Sequence, residues 1–416
     1  MKLQDLQAAE SKLVLQTYER YPIQFVSGHG VLLRDENGND YLDLLSGIGV
    51  CALGYNHPAI NTAIAKQASE VLHLSNLFYH ENTAGLALRL TEISGLDRVF
   101  FCNSGTEAWE AALKIARAHS AKVRENGGKL GTKFLALEHS FHGRTMGSVA
   151  TTHKEKYRTP FAPVMPGVEF VRFNDVEDLR AHFSDEICGI CIESIQGEGG
   201  IHPVSQEFFA AARELCDSTG ALLLADEIQC GFGRTGKWFG YQHFGILPDV
   251  VTIAKPLAGG LPIGAMLCSE RVAACITPGM HGTTFGGGPL VTGVAIAVID
   301  EMKRTNLLEH VTEVGGYFMD QLRGLQIKHS CITEVRGLGL MIGVEIDSVD
   351  LAKTVMNEML TQRIILNRTS ETVLRFLPPF ILERQHVDTT VAALDAILTS
   401  NASYAGQAAS GDHANG

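Results

Sequence analysis

The sequence predicts an α/β protein. A large domain carries a mostly parallel central sheet flanked by helices, and a smaller α/β domain accompanies it. Three observations carry this. From about Asn56 onward, short apolar runs alternate with long helical stretches. The 416 residues exceed one ordinary core and suit two domains. Unusual polar residues stand where the apolar runs end, and that is where open parallel sheets bind ligands.

In chain order, Leu3, Leu6, Leu13 and Val14 recur at near-helical spacing and predict a short amphipathic helix. It would pack on a partner subunit or on the body of the protein. "GVLLRDENGNDYLDLL" places two apolar-patterned runs around Asn37-Gly38 and reads as a hairpin. Buried strands are expected at 97–103, 133–139, 189–194, 221–227 and 249–255, with helices over 107–124 and 206–219 between them. "VVTIAKPLAGGLPIGAM" (250–266) begins as a strand and should end as a loop of glycines and prolines. After Pro289 come a long helical stretch, strand-like runs at 332–346 and 372–379 with a helix between them, and a last helix to about Leu398. The expected division is an N-terminal segment (1–55) that joins the small domain, a large domain (56–290) and a C-terminal small domain (291–399). The tail 400–416 lacks large aliphatic side chains and is expected to be disordered.

Composition narrows the function. The formal charge is −12 and no run of Lys and Arg occurs, which argues against a nucleic-acid partner. No stretch approaches the roughly 18 apolar residues of a membrane span, and the N-terminus has no signal-peptide core. The 9 cysteines are scattered and form no framework, which suits a reducing cytoplasm. Cys188 and Cys191 form a CxxC, but inside a strand-like run with no second pair or histidines nearby, so structural thiols are expected and no metal site.

The candidate chemistry gathers at strand ends. Lys255 places an ammonium at the end of an apolar run, which is costly unless the charge is paired or lost. "LLLADEIQCGFGRTG" ends a strand with Asp226 and Glu227. These are either a solvated acid pair or, for Asp226 after four apolar residues, a buried carboxylate awaiting a cation. Ser104-Gly105-Thr106 joins a strand to a helix, with Glu107 at capping-box spacing. It is an ordinary helix cap or an anion site. Phe141, His142 and Arg144 follow a third strand, where a ring could stack on a flat cofactor and an arginine could fork onto a carboxylate, while His142 has no partner at metal-ligand spacing. Packing and surface charge are the plainer readings. A phosphate cradle, a stacking ring, a buried acid and a strand-end lysine together suit one cofactor, pyridoxal 5′-phosphate.

These segments resemble the class III aminotransferases of the fold-type-I pyridoxal phosphate family. The resemblance spans about Tyr21 to Val391 and rests on "LGYNHPAI", "NSGTEA", "FHGR", "IQGEGG", "ADEIQCGFGRTG", "AKPLAGGLPIGA", "HGTTFGG" and "RGLGLMIG". Within the class, the motifs are most similar to members that act on N-acetylornithine in arginine biosynthesis. The resemblance implies that Lys255 forms the Schiff base with the cofactor and then moves the proton. It implies that Asp226 keeps the ring nitrogen protonated, and that Gln229 bonds the ring hydroxyl, with Glu227 and Ile228 beside them. Ser104, Gly105 and Thr106 would hold the phosphate, and Phe141 would stack on the ring. Thr284 would reach the phosphate of the neighbouring subunit in a homodimer with shared sites. Arg144, with Thr283 close by, would take the substrate α-carboxylate. Glu198 would cover Arg375 while an amine donor is bound and release it for 2-oxoglutarate; a structural salt bridge is the alternative. Two departures from the family pattern stand out: Gly288, where an asparagine is usual, and Trp109, one turn into the phosphate-binding helix. Other substrates compatible with the resemblance are N-succinylornithine, ornithine, 4-aminobutyrate and a carrier-bound lysine precursor. An aminomutase, which needs no Glu198–Arg375 switch, and a non-enzymatic scaffold are the more distant alternatives.

Overall fold

The computed structural model describes residues 1–411, with side chains through residue 401. Its centre is a seven-stranded sheet in the order Arg98–Cys102, Gly264–Cys268, Val250–Ile253, Leu222–Asp226, Ile187–Glu193, Lys133–Leu137, Val168–Val171. Four of the six pairings are parallel. The strand Gly264–Cys268 runs antiparallel to both of its neighbours. The central runs read as strands are buried on both faces: every residue of 187–193 and of 222–226 is inside. That is why they appear in the sequence as continuous apolar stretches and not as alternating ones.

The stretch 250–266 does not end as a loop. Gly259 and Gly260, at φ +56° and +123°, reverse the chain, and it returns as the strand Gly264–Cys268. Only glycine fits at 264, where a Cβ would lie 2.3 Å from the Ser104 carbonyl oxygen. That close approach brings the start of the helix Gly105–Glu125 against the sheet edge. The helix buries Ala108, Ala112, Ile115 and Ala116, the face expected from their spacing, and with them Trp109, which is wholly inside. The departure at 109 is therefore a core residue of this chain.

The expected hairpin forms between Leu32–Asp35 and Asp40–Asp43, with Leu33 opposite Tyr41. Ile364–Ile365 adds to it in parallel, so the N-terminal hairpin and the C-terminal part share one sheet. The run 332–346 is itself a hairpin, Ile332–Leu338 with Met341–Ile346, and Val373–Phe376 pairs with its second strand. The last helix runs Arg384–Gly411. Of the tail expected to be disordered, residues 412–416 lie outside the described residues. The N-terminal helix, Leu3–Leu13, buries no side chain of its own. All nine cysteines are free thiols, and Cys188 and Cys191 are buried, so the CxxC is part of the core. Burial pushes the Cys188 thiol up to about 12, which leaves it unreactive at neutral pH.

Candidate active site

A cavity of about 350 Å³ opens beside the C-terminal ends of the central parallel strands. Into it face Ser104, Gly105 and Thr106 from one helix start, together with Phe141, Asp226, Ile228, Gln229, Glu198 and Lys255. Nine of the residues singled out above thus meet in one place, although they span more than 150 positions of the chain.

Asp226 is buried, and its carboxylate accepts from three donors. Oδ2 accepts from His142 Nδ1 at 2.7 Å, and Oδ1 accepts from the Ile228 N–H at 3.1 Å and the Thr252 hydroxyl at 3.4 Å. His142 lies flat against Trp109, with ring centroids 4.2 Å apart and planes 6° from parallel. The indole N–H is held by Thr151 Oγ1 at 2.9 Å. His142 Nε2 is buried and has no hydrogen-bond partner among the described residues. Nδ1 is therefore the nitrogen that donates to the Asp226 carboxylate. Asp226 thus has one oriented donor behind it and a carboxylate that lines the cavity, where it can face a cationic ring N–H.

Glu193 stands directly opposite Asp226 in the register of the neighbouring parallel strand. Its carboxyl accepts from the Phe141 N–H at 3.0 Å and the Gly197 N–H at 3.2 Å. Burial, and then the adjacent Asp226 charge, push it up to about 8. Lys255 is half-buried, lines the cavity and begins a short 3₁₀ turn at φ +29°. Burial draws its amine down from 10.5 to about 8, so a useful fraction is the unprotonated nucleophile near neutral pH.

The helix start fits an anion. Ser104 Oγ accepts from the Glu107 N–H at 3.3 Å and the Ser104 carbonyl from Ala108, while the N–H groups of Gly105 and Thr106 precede the helix's own bonding. Thr106 Oγ1 lies 2.9 Å from Thr145 Oγ1 and 2.7 Å from Ser148 Oγ. A Cβ at Gly105 would press to 3.0 Å on Ile228, so the absence of a side chain keeps this end of the cavity open. The donor set, the oriented carboxylate and the half-buried amine therefore suit a flat, cationic heteroaromatic phosphate ester bearing an aldehyde.

Behind the cavity, Glu198 covers Arg375. Arg375 is 1% exposed, and its Nη1 donates to Glu198 Oε1 at 2.5 Å and to Gln229 Oε1 and the Gly197 carbonyl at 3.3 Å. Its Nε donates to Asn367 at 3.1 Å. Burial pushes the Glu198 carboxyl up, but the Arg375 charge and hydrogen bond outweigh it and hold the carboxyl below its ordinary value. Glycine at 197 permits the turn, because a Cβ there would lie 1.9 Å from Gln229 Oε1.

Three expectations need correction or relocation. Glu227 does not face the cavity. Strand alternation turns it to the opposite side, where Ser194, the Gly240 N–H at 2.7 Å and the Tyr241 N–H at 3.0 Å consume its carboxylate. Arg144 is exposed and lies outside the cavity lining; its guanidinium sits 3.6 Å from the centre of the Tyr157 ring. Thr283 and Thr284 line an adjoining recess, joined to the cavity through Asn103, whose amide donates to Thr283 Oγ1 at 3.2 Å. Glu193 and Asn103 were not singled out in the sequence, and His142 was noted there only as lacking partners at metal-ligand spacing. Glu193 had a visible signal, since it is an acid at the end of an apolar strand parallel to that of Asp226. His142 had none, because its partner is 84 residues away.

The chain matches the family model described as aminotransferase class-III over residues 14–398. It is 45% identical to the acetylornithine aminotransferase of Methanocaldococcus jannaschii over 392 residues, covering 94% of this chain and 97% of that protein. It is 42% identical to the mitochondrial acetylornithine aminotransferase of Alnus glutinosa, covering 94% and 86%. Among solved structures, the ornithine aminotransferase of Toxoplasma gondii ME49 superposes with a TM-score of 0.92 at 31% identity, covering 97% of this chain and 96% of that one. The acetylornithine aminotransferase of Elizabethkingia anophelis gives a TM-score of 0.85 at 28% identity, covering 96% and 100%.

Proposed function

The chain belongs to the class III aminotransferases, and from that premise we propose that it moves the terminal amine of N-acetylornithine to 2-oxoglutarate. The products are N-acetylglutamate 5-semialdehyde and glutamate, a step of arginine biosynthesis. The enzyme is dependent on pyridoxal 5′-phosphate, which when bound supplies an aldehyde to carry the amine and a ring that withdraws electrons. The residues of this chain do the rest. Lys255 would hold the cofactor through its amine, and that amine would be the base that takes the proton from the amine-bearing carbon of the substrate and the acid that delivers it to the cofactor carbon. Asp226, oriented by His142, holds the ring nitrogen positive. Ser104, Gly105 and Thr106 receive the phosphate, Phe141 and Ile228 border the ring, and Gln229 meets its hydroxyl.

The observation that carries the two-substrate reading is Glu198 lying over Arg375. A closed pair presents no bare cation to an amine that arrives with its charge at the far end. An opened pair presents a buried guanidinium to the carboxylate beside the keto group of 2-oxoglutarate. Arg144, packed on the Tyr157 ring outside the cavity lining, would turn inward to take the substrate α-carboxylate. Thr284 is exposed and borders the adjoining recess, not the cavity itself, and on this reading it serves the phosphate site of the partner in a homodimer. Nine free cysteines fit a reducing compartment such as the cytoplasm. No helix among the described residues is long and apolar enough to cross a membrane.

The test is spectroscopic. N-acetylornithine, N-succinylornithine, ornithine and 4-aminobutyrate are added singly to the loaded enzyme without 2-oxoglutarate. Fastest bleaching of the visible band by N-acetylornithine, reversed by 2-oxoglutarate, is expected. Fastest bleaching by another amine moves the substrate to that amine.

A further inference from the structure

Glu198 borders two cavities. One is the catalytic cavity. The other, about 380 Å³, lies beyond Phe141 and Glu198 and is bordered by Lys154, Lys156, Arg368 and the hydroxyls of Thr369 and Ser370. The backbone at Glu198 is held in place, because Thr369 Oγ1 at 2.7 Å and Ser370 Oγ at 3.3 Å both donate to its carbonyl. Departure from Arg375 is therefore a rotation of the side chain alone. That side chain is 34% exposed, against 2% for Arg375, so the carboxylate is the free member of the pair.

A carboxylate leaving a buried arginine is better stabilised by a second cation than by water alone. Arg368 is committed: its guanidinium donates to the carbonyls of Val349, at 3.2 Å, and Glu371. The Lys156 ammonium lies 5.4 Å from the centre of the Tyr157 ring. Lys154 is exposed, and its ammonium has no hydrogen-bond or ion-pair partner among the described residues. Among the described residues, Glu371 is the one other carboxylate bordering this cavity. Three non-glycine residues around it, His139, Ser370 and Glu371, hold left-handed backbones at φ +65°, +47° and +68°. Strain of that kind gathers where the fold keeps a shaped recess for a purpose.

We propose that Lys154 is the alternate partner of Glu198, receiving its carboxylate while a dicarboxylate occupies Arg375. Lys154 is on this account a positioning residue that lowers the cost of opening the pair. The inference rests on the two-substrate reading above. Its effect falls on the acceptor half of the cycle, because the donor half uses the closed pair.

The experiment uses the pyridoxal phosphate-loaded enzyme and glutarate, a dicarboxylate with no keto group to react. Calorimetry should show the glutarate Kd raised about fivefold in Lys154→Met, the size of one exposed ion pair, and restored in Lys154→Arg. The single-turnover rate with N-acetylornithine should change by less than about twofold. In a Glu198→Ala background, Lys154→Met should add nothing, since there is no carboxylate to receive. An unchanged Kd in Lys154→Met overturns the proposal. So does a loss that persists in the Glu198→Ala background, which would mean that Lys154 touches the dicarboxylate itself. If the wild type neither binds glutarate nor turns over 2-oxoglutarate, the two-substrate reading fails and takes this inference with it.

Discussion

Glu198→Ala tests the substrate switch most directly. The substitution removes one carboxylate and leaves the Arg375 guanidinium, 1% exposed, with three neutral acceptors: Gln229, Asn367 and the Gly197 carbonyl. Breaking a fully buried pair costs about 3–5 kcal/mol. The Glu198 side chain is 34% exposed, so water screens the interaction and about 1–3 kcal/mol is the applicable range. In the wild type, that amount opposes any substrate carboxylate that must displace Glu198. In the variant it is released to such a substrate, which translates to about 5-fold to 150-fold in relative affinity. The assay is the ratio of kcat/KM for glutamate to that for N-acetylornithine, each measured as a half-reaction. The ratio should rise in Glu198→Ala within that range, and Glu198→Gln should fall between. A ratio unchanged within about twofold would refute the switch and leave Glu198–Arg375 as a structural tie.

Lys255→Ala should lose the visible band of the bound cofactor and essentially all turnover while keeping a cooperative melt; retention of both band and turnover would refute the assignment. Trp109→Ala removes a wholly buried indole and its 2.9 Å bond to Thr151, and should cost about 3–5 kcal/mol in denaturant unfolding. Trp109→Phe should recover part of this by keeping a ring against His142, and equal stability of all three proteins would contradict the packing described. In the cofactor-free enzyme, Glu193 holds its proton up to about 8, whereas the unfolded chain loses it near 4.5. Its stabilising contribution is therefore complete below about 4.5 and lost as pH rises through about 8. Glu193→Gln should flatten the fall of melting temperature across that window, and an identical pH profile would show that the proton is not held there.

Much of the site was legible because parallel α/β sheets present ligands at strand ends, and Lys255 and Asp226 are polar residues ending apolar runs. The helix start at Ser104-Gly105-Thr106 was legible as a cap, but whether it faced a cavity was not, since a solvent-exposed cap has the same sequence. Glu227 shows the opposite difficulty. Adjacent to Asp226, it looked like a second site acid, yet one residue along a strand is the other face. Glu193, by contrast, is far from Asp226 in sequence and opposite it in register.

By itself, the sequence determined the alternation of strands and helices, the hairpin at Asn37-Gly38, the buried thiols and the family. Each of these depends on local pattern: periodicity, turn chemistry, or motifs a few residues long. The tertiary structure alone decided that Gly264–Cys268 returns as an antiparallel strand and that Trp109 backs His142, which in turn orients Asp226. It alone placed Glu198 between two cavities with Arg375 behind it. These depend on contacts between residues tens to hundreds of positions apart, whose strengths are set by distance and burial, and neither quantity exists until the chain has folded.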